Sequence, residues 1–391
     1  MKQEKNYNRM NSQLIVRRNF FVWLLSAIGL VIVVTGCKKE LQPGTTISDD
    51  STLSSVSSKV AKGPTIVVQP GSSIQAAVNI ASPGSVIKIK PGTYAESISI
   101  NKADITLMGE GNVIIQNPGG AAIGITVDNA ADGFTLKNIT LRDFGERAVN
   151  MTYIDGFLLS HVTVINSGEF GLFVEYCKNG VIEHCVGSGL SETAFFVGYS
   201  KNILVTQNKG YGNVIGFESE NSSYITFEKN QAYNNTVGIM CLLVPGRDIK
   251  TSNGIIITRN QVHENNLPNF SEPPEKESVL PSGIGILVIG TDNSQVKDNH
   301  VTDHKFTGVA VVSSLLIAVL SNLPPEAFAD IEPNPDGVKV IGNKVEGNGF
   351  NPPSGLPLPG VDLLWDGSGS NNCWRNNLFA TSYPFPLPAC Q

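Results

Sequence analysis

The amino-acid sequence predicts an all-β protein whose chain winds into a solenoid with three short strands in each coil. Three observations support this prediction: a repeat of 22 or 23 residues, short β-type segments between the repeated positions, and a composition rich in turn residues. The chain has 391 residues, of which 39 are glycine and only 16% are charged. Such a composition favours a large β domain over a helical protein.

Residues 17–37 have the pattern of an export signal. Arg17 and Arg18 precede an apolar run, residues 20–34, that is short for a transmembrane helix, and the segment ends in "VTGC" at Cys37. This ending resembles the bacterial lipoprotein signal, which implies that residues 1–37 are a signal peptide and that Cys37 is lipidated. The protein is then expected at the bacterial cell envelope, anchored to a membrane and facing the periplasm or the cell surface. The alternative is a signal anchor with an incidental cysteine.

The rest of the chain divides into a linker and one long domain. Residues 38–63 are rich in Ser and Thr and carry no period, so we expect a flexible tether. Residues 64–391 are expected to form a single domain with a cap at 64–100, coils at 101–366 and a second cap at 367–391. A net charge of −6 without a long basic run argues against nucleic acid as a partner.

The predicted domain opens with a short helix between strands. After Pro70-Gly71, we expect Ser72 to be the N-cap of a helix that carries Ile74, Ala77 and Val78.

Two columns of repeated residues define the coils. The first contains small residues that each open an apolar stretch: Ala148, Gly171, Ala194, Gly216, Gly238, Gly285, Gly308 and Gly360. The second contains Asn or His: Asn138, His161, His184, Asn208, Asn230, Asn260, Asn299, Asn343 and Asn376. We expect stacked Asn side chains to pass hydrogen bonds along the solenoid, with His161 and His184 at two ladder positions.

The segments between these columns, such as "FTLKNITL" and "YITFEKN", are short and β-like. None can bury a face alone, so we expect about ten coils that stack ~4.8 Å apart.

The pattern resembles the parallel β-helix repeats of the pectin-lyase-like superfamily, which implies a right-handed solenoid. In that superfamily, a segment like residues 65–100 caps the first coil. The tail after residue 360 resembles the ends of exported bacterial β-helix proteins of unassigned function. The sequence lacks the paired Asp and "GHG" steps of polygalacturonases and the "DPHE" string of alginate epimerases. The resemblance therefore predicts the fold and leaves the activity open.

Four insertions interrupt the repeat, at residues 244–253, 267–282, 315–337 and 349–359. The second and fourth leave from one corner and the other two from the seam between coils. Such insertions either wall a groove or are tolerated decoration.

A column of carboxylates is the main candidate site. Glu146, Glu169 and Glu192 each precede the small residue by two positions, and we expect their carboxylates ~4.8 Å apart. Mutual repulsion would favour a cation such as Ca²⁺ or raised pKa values, as in an acid–base pair on a sugar. Arg147 is the candidate partner for the charge or for a uronate carboxylate. The alternative is an exposed turn in which Glu is merely tolerated.

Other columns have structural interpretations. Tyr153, Tyr176 and Tyr199 predict an aromatic stack, and Glu175, Glu218 and Glu220 are expected to make the neighbouring outer surface acidic. Cys373 and Cys390 flank a Pro-rich tail and are the candidate disulfide pair. Three further cysteines, Cys177, Cys185 and Cys241, are expected to be buried free thiols.

Three functions remain open at this point. The first is a polysaccharide lyase or glycoside hydrolase that acts near Glu146, Glu169 and Glu192. The second is a non-catalytic surface module that binds polysaccharide or a partner protein. The third is a periplasmic metal-handling protein, for which the five histidines and five methionines give little support.

Overall fold

A computed structural model of the protein describes residues 63–391, except for residues 274 and 357. The predicted signal peptide with Cys37, and all but the last residue of the predicted tether, lie outside the described residues. The described chain is a parallel β-solenoid, and every strand pairing in it is parallel. None of its helices is long and apolar enough to span a membrane.

The predicted N-terminal helix forms at Ile74–Ile80 and buries Ile74, Ala77 and Val78, as expected. Its N-cap is Ser73, not Ser72, because the Ser73 hydroxyl accepts a hydrogen bond from the N–H of Ala76. The Glu96 carboxylate accepts two further N–H groups of the first turn. The helix is thereby fixed to the first coils.

Two stacks of strands form one larger sheet, because the strands Thr135–Arg142 and Asp155–Ile165 run without interruption through both stacks. The strands of this sheet are Thr65–Val68, Val86–Ile89, Gly92–Ala95, Thr106–Gly109, Val113–Gln116, Thr135–Arg142, Asp155–Ile165, Lys178–Glu183, Val186–Ser188, Lys201–Thr206, Lys209–Tyr211, Ser223–Glu228, Gln231–Tyr233, Ile256–Thr258, Gln261–His263, Gln295–Lys297, His300–Thr302, Lys339–Ile341, Lys344–Glu346 and Cys373–Arg375.

The third stack is a smaller sheet of eleven strands, one more than the ten coils expected. Its strands are Ile98–Ile100, Ile123–Val127, Arg147–Thr152, Phe170–Glu175, Thr193–Gly198, Ile215–Glu220, Val237–Leu242, Ile284–Ile289, Thr307–Val312, Val361–Trp365 and Ser382–Tyr383.

The register of the smaller sheet confirms the predicted period. Leu172 is aligned with Val149 on one side and with Phe195 on the other, so Gly171 lies between Ala148 and Ala194. Inside the solenoid, apolar side chains from all three stacks form one continuous core. Side chains one repeat apart are therefore vertical neighbours.

The column of small residues marks a corner where the backbones of successive coils approach closely. A Cβ on Gly171 would lie 2.4 Å from the carbonyl oxygen of Ala194. The predicted last member is wrong: Thr307 is aligned with Val361, which places Asp362 rather than Gly360 above Gly308. Insertion 349–359, which precedes the strand Val361–Trp365, interrupts the repeat, so the spacing alone could not identify the aligned residue.

The Asn column is in fact two adjacent columns. Asn208, Asn230, Asn260, Asn299, Asn343 and Asn377 form an inward ladder in which each side-chain amide donates to the next at 2.9–3.1 Å. The second column lies one residue before the ladder position of each coil, at a corner with positive φ. It contains Asn138, His161, His184 and Asn376. The rings of His161 and His184 stack there at 4.8 Å. The predicted ladder is therefore correct for its central part and wrong by one residue at both ends, because two Asn-rich positions are adjacent.

A second ladder at the next corner was not predicted. Asn213, Asn235 and Asn265 pass hydrogen bonds upward, and the series continues through His304 and Asn348 to Asp362. His304 is fully buried in this series. The first two members of this second ladder, Asn213 and Asn235, are 22 residues apart, so the period of the repeat could have identified it.

The four insertions are arranged around the smaller sheet. Residues 267–282 and 349–359 precede its strands, whereas residues 244–253 and 315–337 follow them. They contain the helix Leu315–Leu320 and two 3-10 helices, Lys276–Val279 and Pro325–Phe328. Side chains of the insertions and of the outer face of the sheet form a second apolar cluster, which includes Met240, Leu287 and Ile317. The insertions thus cover the outer face of the smaller sheet in its C-terminal coils.

The C-terminal tail closes the last coil. Cys373 and Cys390, the pair expected from the sequence, are joined by a disulfide with a Cα–Cα distance of 4.7 Å. Cys177, Cys185 and Cys241 are free and buried. Burial raises the pKa of Cys177 to about 11 and that of Cys185 to about 12, so both remain thiols.

Candidate functional site

The predicted column of Glu146, Glu169 and Glu192 is present in the backbone, at equivalent positions of successive coils. The N–H of Glu169 donates to the carbonyl of Glu146 at 2.8 Å, and that of Glu192 donates to Glu169 at 3.0 Å. Glu146 is exposed, Glu169 is half-buried, and Glu192 is only 2% exposed. The three residues therefore have different environments, because insertion 267–282 covers one end of the column.

Glu192 meets this insertion directly. Its Oε1 accepts a hydrogen bond from the Ser271 hydroxyl at 2.6 Å, and its carboxyl lies close to that of Glu277. Burial, together with the neighbouring Glu277, raises the pKa of Glu192 to about 10. At neutral pH, Glu192 therefore carries a proton in the absence of a cation.

Arg147 forms no ion pair with the carboxylate column, although its charge opposes the burial that raises the pKa of Glu169. Its guanidinium lies 3.8 Å from the ring centroid of Phe173, and its Nη1 donates to Asn150 Oδ1 at 2.7 Å. Within the described chain, no carboxylate lies at ion-pair distance from it. Stacking on Phe173 directs Arg147 across the outer face of the smaller sheet.

Glu218 and Glu220 do not make the surface acidic as expected, since both are buried on the outer face of the sheet. Lys276, from the insertion, lies over them: its Nζ is 3.1 Å from Glu218 Oε1 and 3.0 Å from Glu277 Oε1, and it contacts Glu220 Oε2. Burial raises the pKa of Glu218 to about 7, against the effect of Lys276. Burial alone would also raise the pKa of Glu220, but Lys276 and hydrogen bonds lower it below its usual value.

Tyr199 and Arg247 complete the open edge of this cluster. The Tyr199 hydroxyl donates to Glu220, and the Nε of Arg247, from insertion 244–253, lies 3.6 Å from the same carboxylate. Burial and the adjacent Glu220 hold the pKa of Tyr199 well above its usual range. Tyr199 thus remains protonated, and its hydroxyl is engaged by Glu220.

Glu175 is the carboxyl of this face that solvent can reach. It is half-buried and lies in the same column as Glu220, with Gly198 between them. Burial raises the pKa of Glu175, with Arg147 partly opposing this effect. Two carboxyls whose environments drive their pKa values apart are typical of acid–base sites. Sequence reasoning placed Glu175 and Glu220 beside the tyrosine column but could not assign their burial.

The tyrosine stack has the predicted structural role. Rings of Tyr153, Tyr176 and Tyr199 stack at centroid distances of 4.8 Å. The faces between successive rings are occupied by the neighbouring ring, so the stack presents mainly ring edges to the solvent. It forms one wall of the open face rather than a flat platform.

A second feature lies between the insertions that precede the sheet. A cleft of about 410 Å³ separates Pro268 and Ser282 of one insertion from residues 351–354 of the other. These two insertions therefore wall a groove. The rings of Trp365, at the end of the strand Val361–Trp365, and of Trp374, in the C-terminal cap, have centroids 5.5 Å apart.

The fold and these residues define a parallel β-helix protein with a polar, partly covered face on its smaller sheet. The chain belongs to the family described as "right handed beta helix region", whose model matches residues 84–218 and 123–323.

Two solved structures have a similar fold. The A-module of mannuronan C-5 epimerase AlgE6 from Azotobacter vinelandii superposes with a TM-score of 0.56 at 18% identity, over 79% of this chain and 86% of that chain. The AlgE4 A-module from the same organism gives 0.53 at 16% identity, over 80% and 93%. At these identities, the likeness shows a shared fold. No curated protein sequence matches this chain significantly.

Proposed function

We propose that this protein binds a uronate-containing polysaccharide on the open part of the smaller sheet and cleaves it there by acid–base chemistry. One observation carries the proposal: Glu175, a solvent-reachable carboxyl with a raised pKa, lies among Arg147, Arg247 and the Tyr199–Glu220 pair. The mannuronan epimerase modules, which share the fold, act on a uronate polymer by their names.

Each group has a role that follows from its environment. The guanidiniums of Arg147 and Arg247 are suited to a uronate carboxylate, because they offer paired N–H donors and a permanent charge. Burial favours the protonated form of Glu175, which can give its proton to the glycosidic oxygen as the C–O bond breaks. Glu175 then regains a proton from the water that adds to the sugar in a hydrolysis, or from the carbon next to the uronate carboxylate in an elimination. Tyr199 donates its hydroxyl proton to Glu220 and so positions that carboxylate at the same edge.

The first prediction tests the acid–base role of Glu175. Glu175→Gln keeps the shape of the side chain but cannot transfer a proton, so we expect kcat to fall by about 10²- to 10⁴-fold on a cleavable uronate polymer. The measurement is a screen of uronic-acid and neutral glycans with and without Ca²⁺. Elimination would be recognised by the ultraviolet absorbance of an unsaturated product, and hydrolysis by new reducing ends alone.

Variants at neighbouring positions sharpen this test. Tyr199→Phe and Glu169→Gln examine the remaining candidates, and Glu264→Gln, an exposed residue outside this face, is the matched control. Full activity in Glu175→Gln would contradict the assignment. Turnover lost in Glu169→Gln but kept in Glu175→Gln would return the site to the Glu146, Glu169 and Glu192 column.

A non-catalytic module is the second candidate. It is favoured by the contacts of Lys276 with Glu218 and Glu220, which engage these buried groups without a ligand. Binding of a glycan without turnover would support this alternative.

We also propose that Cys37 is lipidated and that the tether holds the solenoid away from a membrane of the cell envelope. The proposal is supported by the "VTGC" ending behind an apolar run.

A further inference from the structure

The contact between insertion 267–282 and the solenoid contains more negative than positive charge. Burial raises the pKa values of Glu169 and Glu192; Glu277 raises both further, and Glu275 raises that of Glu169. Among the described residues, only Lys276 contacts this group, through Glu277, and Lys276 is already shared with Glu218 and Glu220. Within the described chain, Glu192 and Glu275 therefore form no ion pair, and Glu277 shares its lysine with two other carboxylates.

One buried oxygen in this group has no partner at all. Glu192 is only 2% exposed, and its Oε1 accepts a hydrogen bond from Ser271. Its Oε2 is inaccessible to solvent and accepts no hydrogen bond. Leaving such an oxygen unsatisfied is costly. A carboxylate oxygen in this position calls for a proton or a cation.

The geometry fits a cation. Glu192, Glu275 and Glu277 each offer a carboxylate oxygen, and these atoms lie within 4.8 Å of one another. Glu275 is exposed, so the cluster opens to the solvent and has room for water ligands. Ca²⁺ takes six to eight oxygen ligands in irregular geometry, whereas Mg²⁺ requires a near-ideal octahedron. Carboxylates from a strand corner and a loop favour the more tolerant ion.

We infer that Glu192, Glu275 and Glu277 form a Ca²⁺ site that fastens insertion 267–282 to the solenoid. Two of the ligands flank Lys276, so the ion also fixes the lysine that lies over Glu218 and Glu220. This inference is independent of the proposed enzymatic activity.

Calorimetric titration of the full chain, freed of metal by chelation, with Ca²⁺ tests the site. We expect one bound ion per chain and a rise in Tm of about 4 °C at a hundredfold excess over Kd. We also expect Ca²⁺ to slow proteolysis within residues 267–282. Absence of binding would overturn the inference and leave a shared proton between Glu192 and Glu277. An equal response to Mg²⁺ would overturn the assignment to Ca²⁺.

Three variants locate the ion. Glu192→Gln resembles the protonated carboxyl and should fold, but we expect it to lower Ca²⁺ affinity at least tenfold. Glu275→Gln removes an exposed ligand, so it tests the site without disturbing the core. Glu326→Gln is the matched control, because Glu326 is exposed on a different insertion. Unchanged Ca²⁺ affinity in both of the first two variants would place the ion elsewhere and overturn the inference.

Discussion

At the scale of single residues, burial determines the chemistry of this protein more than residue type does. Glu146 and Glu192 occupy equivalent positions two repeats apart, yet one is exposed and the other has a pKa of about 10. The same principle applies to His304, which stands within a ladder of amides. Burial lowers its pKa to about 4, so the ring is neutral in the folded protein at physiological pH.

His304 predicts a loss of stability in mild acid. The unfolded chain binds a proton at this residue below pH 6.5, whereas the folded chain does so only near pH 4. Between these values, acid therefore favours unfolding, by up to about 1.4 kcal/mol per pH unit. We expect His304→Asn to flatten the dependence of Tm on pH over this interval, at a cost of about 1 kcal/mol at neutral pH for the smaller side chain.

The control for this prediction is His161→Asn, since His161 is exposed on the outer corner of the solenoid. It should leave the pH dependence unchanged. An equal acid response in the wild type and in His304→Asn would show that other groups control it.

At the scale of structural elements, the Asn ladder holds successive coils in register. Asn260 accepts hydrogen bonds from the N–H and the side-chain amide of Asn230, and it donates to Phe227 and Asn299. All of these groups are buried, so no solvent replaces them.

Asn260→Ala should therefore destabilise the solenoid by about 3 kcal/mol, because several buried groups lose their partners together. Chemical denaturation measures this change, with Asn129→Ala, at an exposed loop position, as the control. A loss no larger than that of the control would mean that water or neighbouring groups satisfy the freed amides.

At the scale of the whole molecule, the solenoid is protected at both ends. The helix Ile74–Ile80 covers the first coil, and the tail tied by Cys373 and Cys390 covers the last one. Since each coil contacts mainly its neighbours, damage to a cap should remain local.

Replacing both Cys373 and Cys390 by Ser should loosen the C-terminal cap by about 3 kcal/mol, the typical effect of opening a loop of this length. Hydrogen exchange should accelerate in residues 373–391 and remain slow in the central coils. Acceleration throughout the solenoid would show that the cap stabilises the whole domain.

The proposed anchor also belongs to this scale. Cys37→Ala should abolish incorporation of labelled palmitate and release the protein from the membrane fraction. Membrane association that persists without the label would favour an uncleaved signal anchor over a lipid.

The repeat in the amino-acid sequence was sufficient to predict the architecture. A period of 22 or 23 residues, the small residues at one corner and the Asn positions at another act between adjacent coils, so they are visible as a regular spacing along the chain. These local rules predicted the stacking of Gly171 between Ala148 and Ala194, the tyrosine stack and the central ladder.

The environment of the candidate site depends on contacts between residues far apart in the chain, which are formed only on folding. Glu192 binds Ser271, which is 79 residues away, and Glu220 binds Lys276, which is 56 residues away, through insertions that follow no period. No spacing in the sequence indicates where such an insertion folds, although that placement decides whether a glutamate is exposed, protonated or paired. The repeat therefore predicted the fold. The chemistry of the site was determined by the irregular insertions that fold against the solenoid.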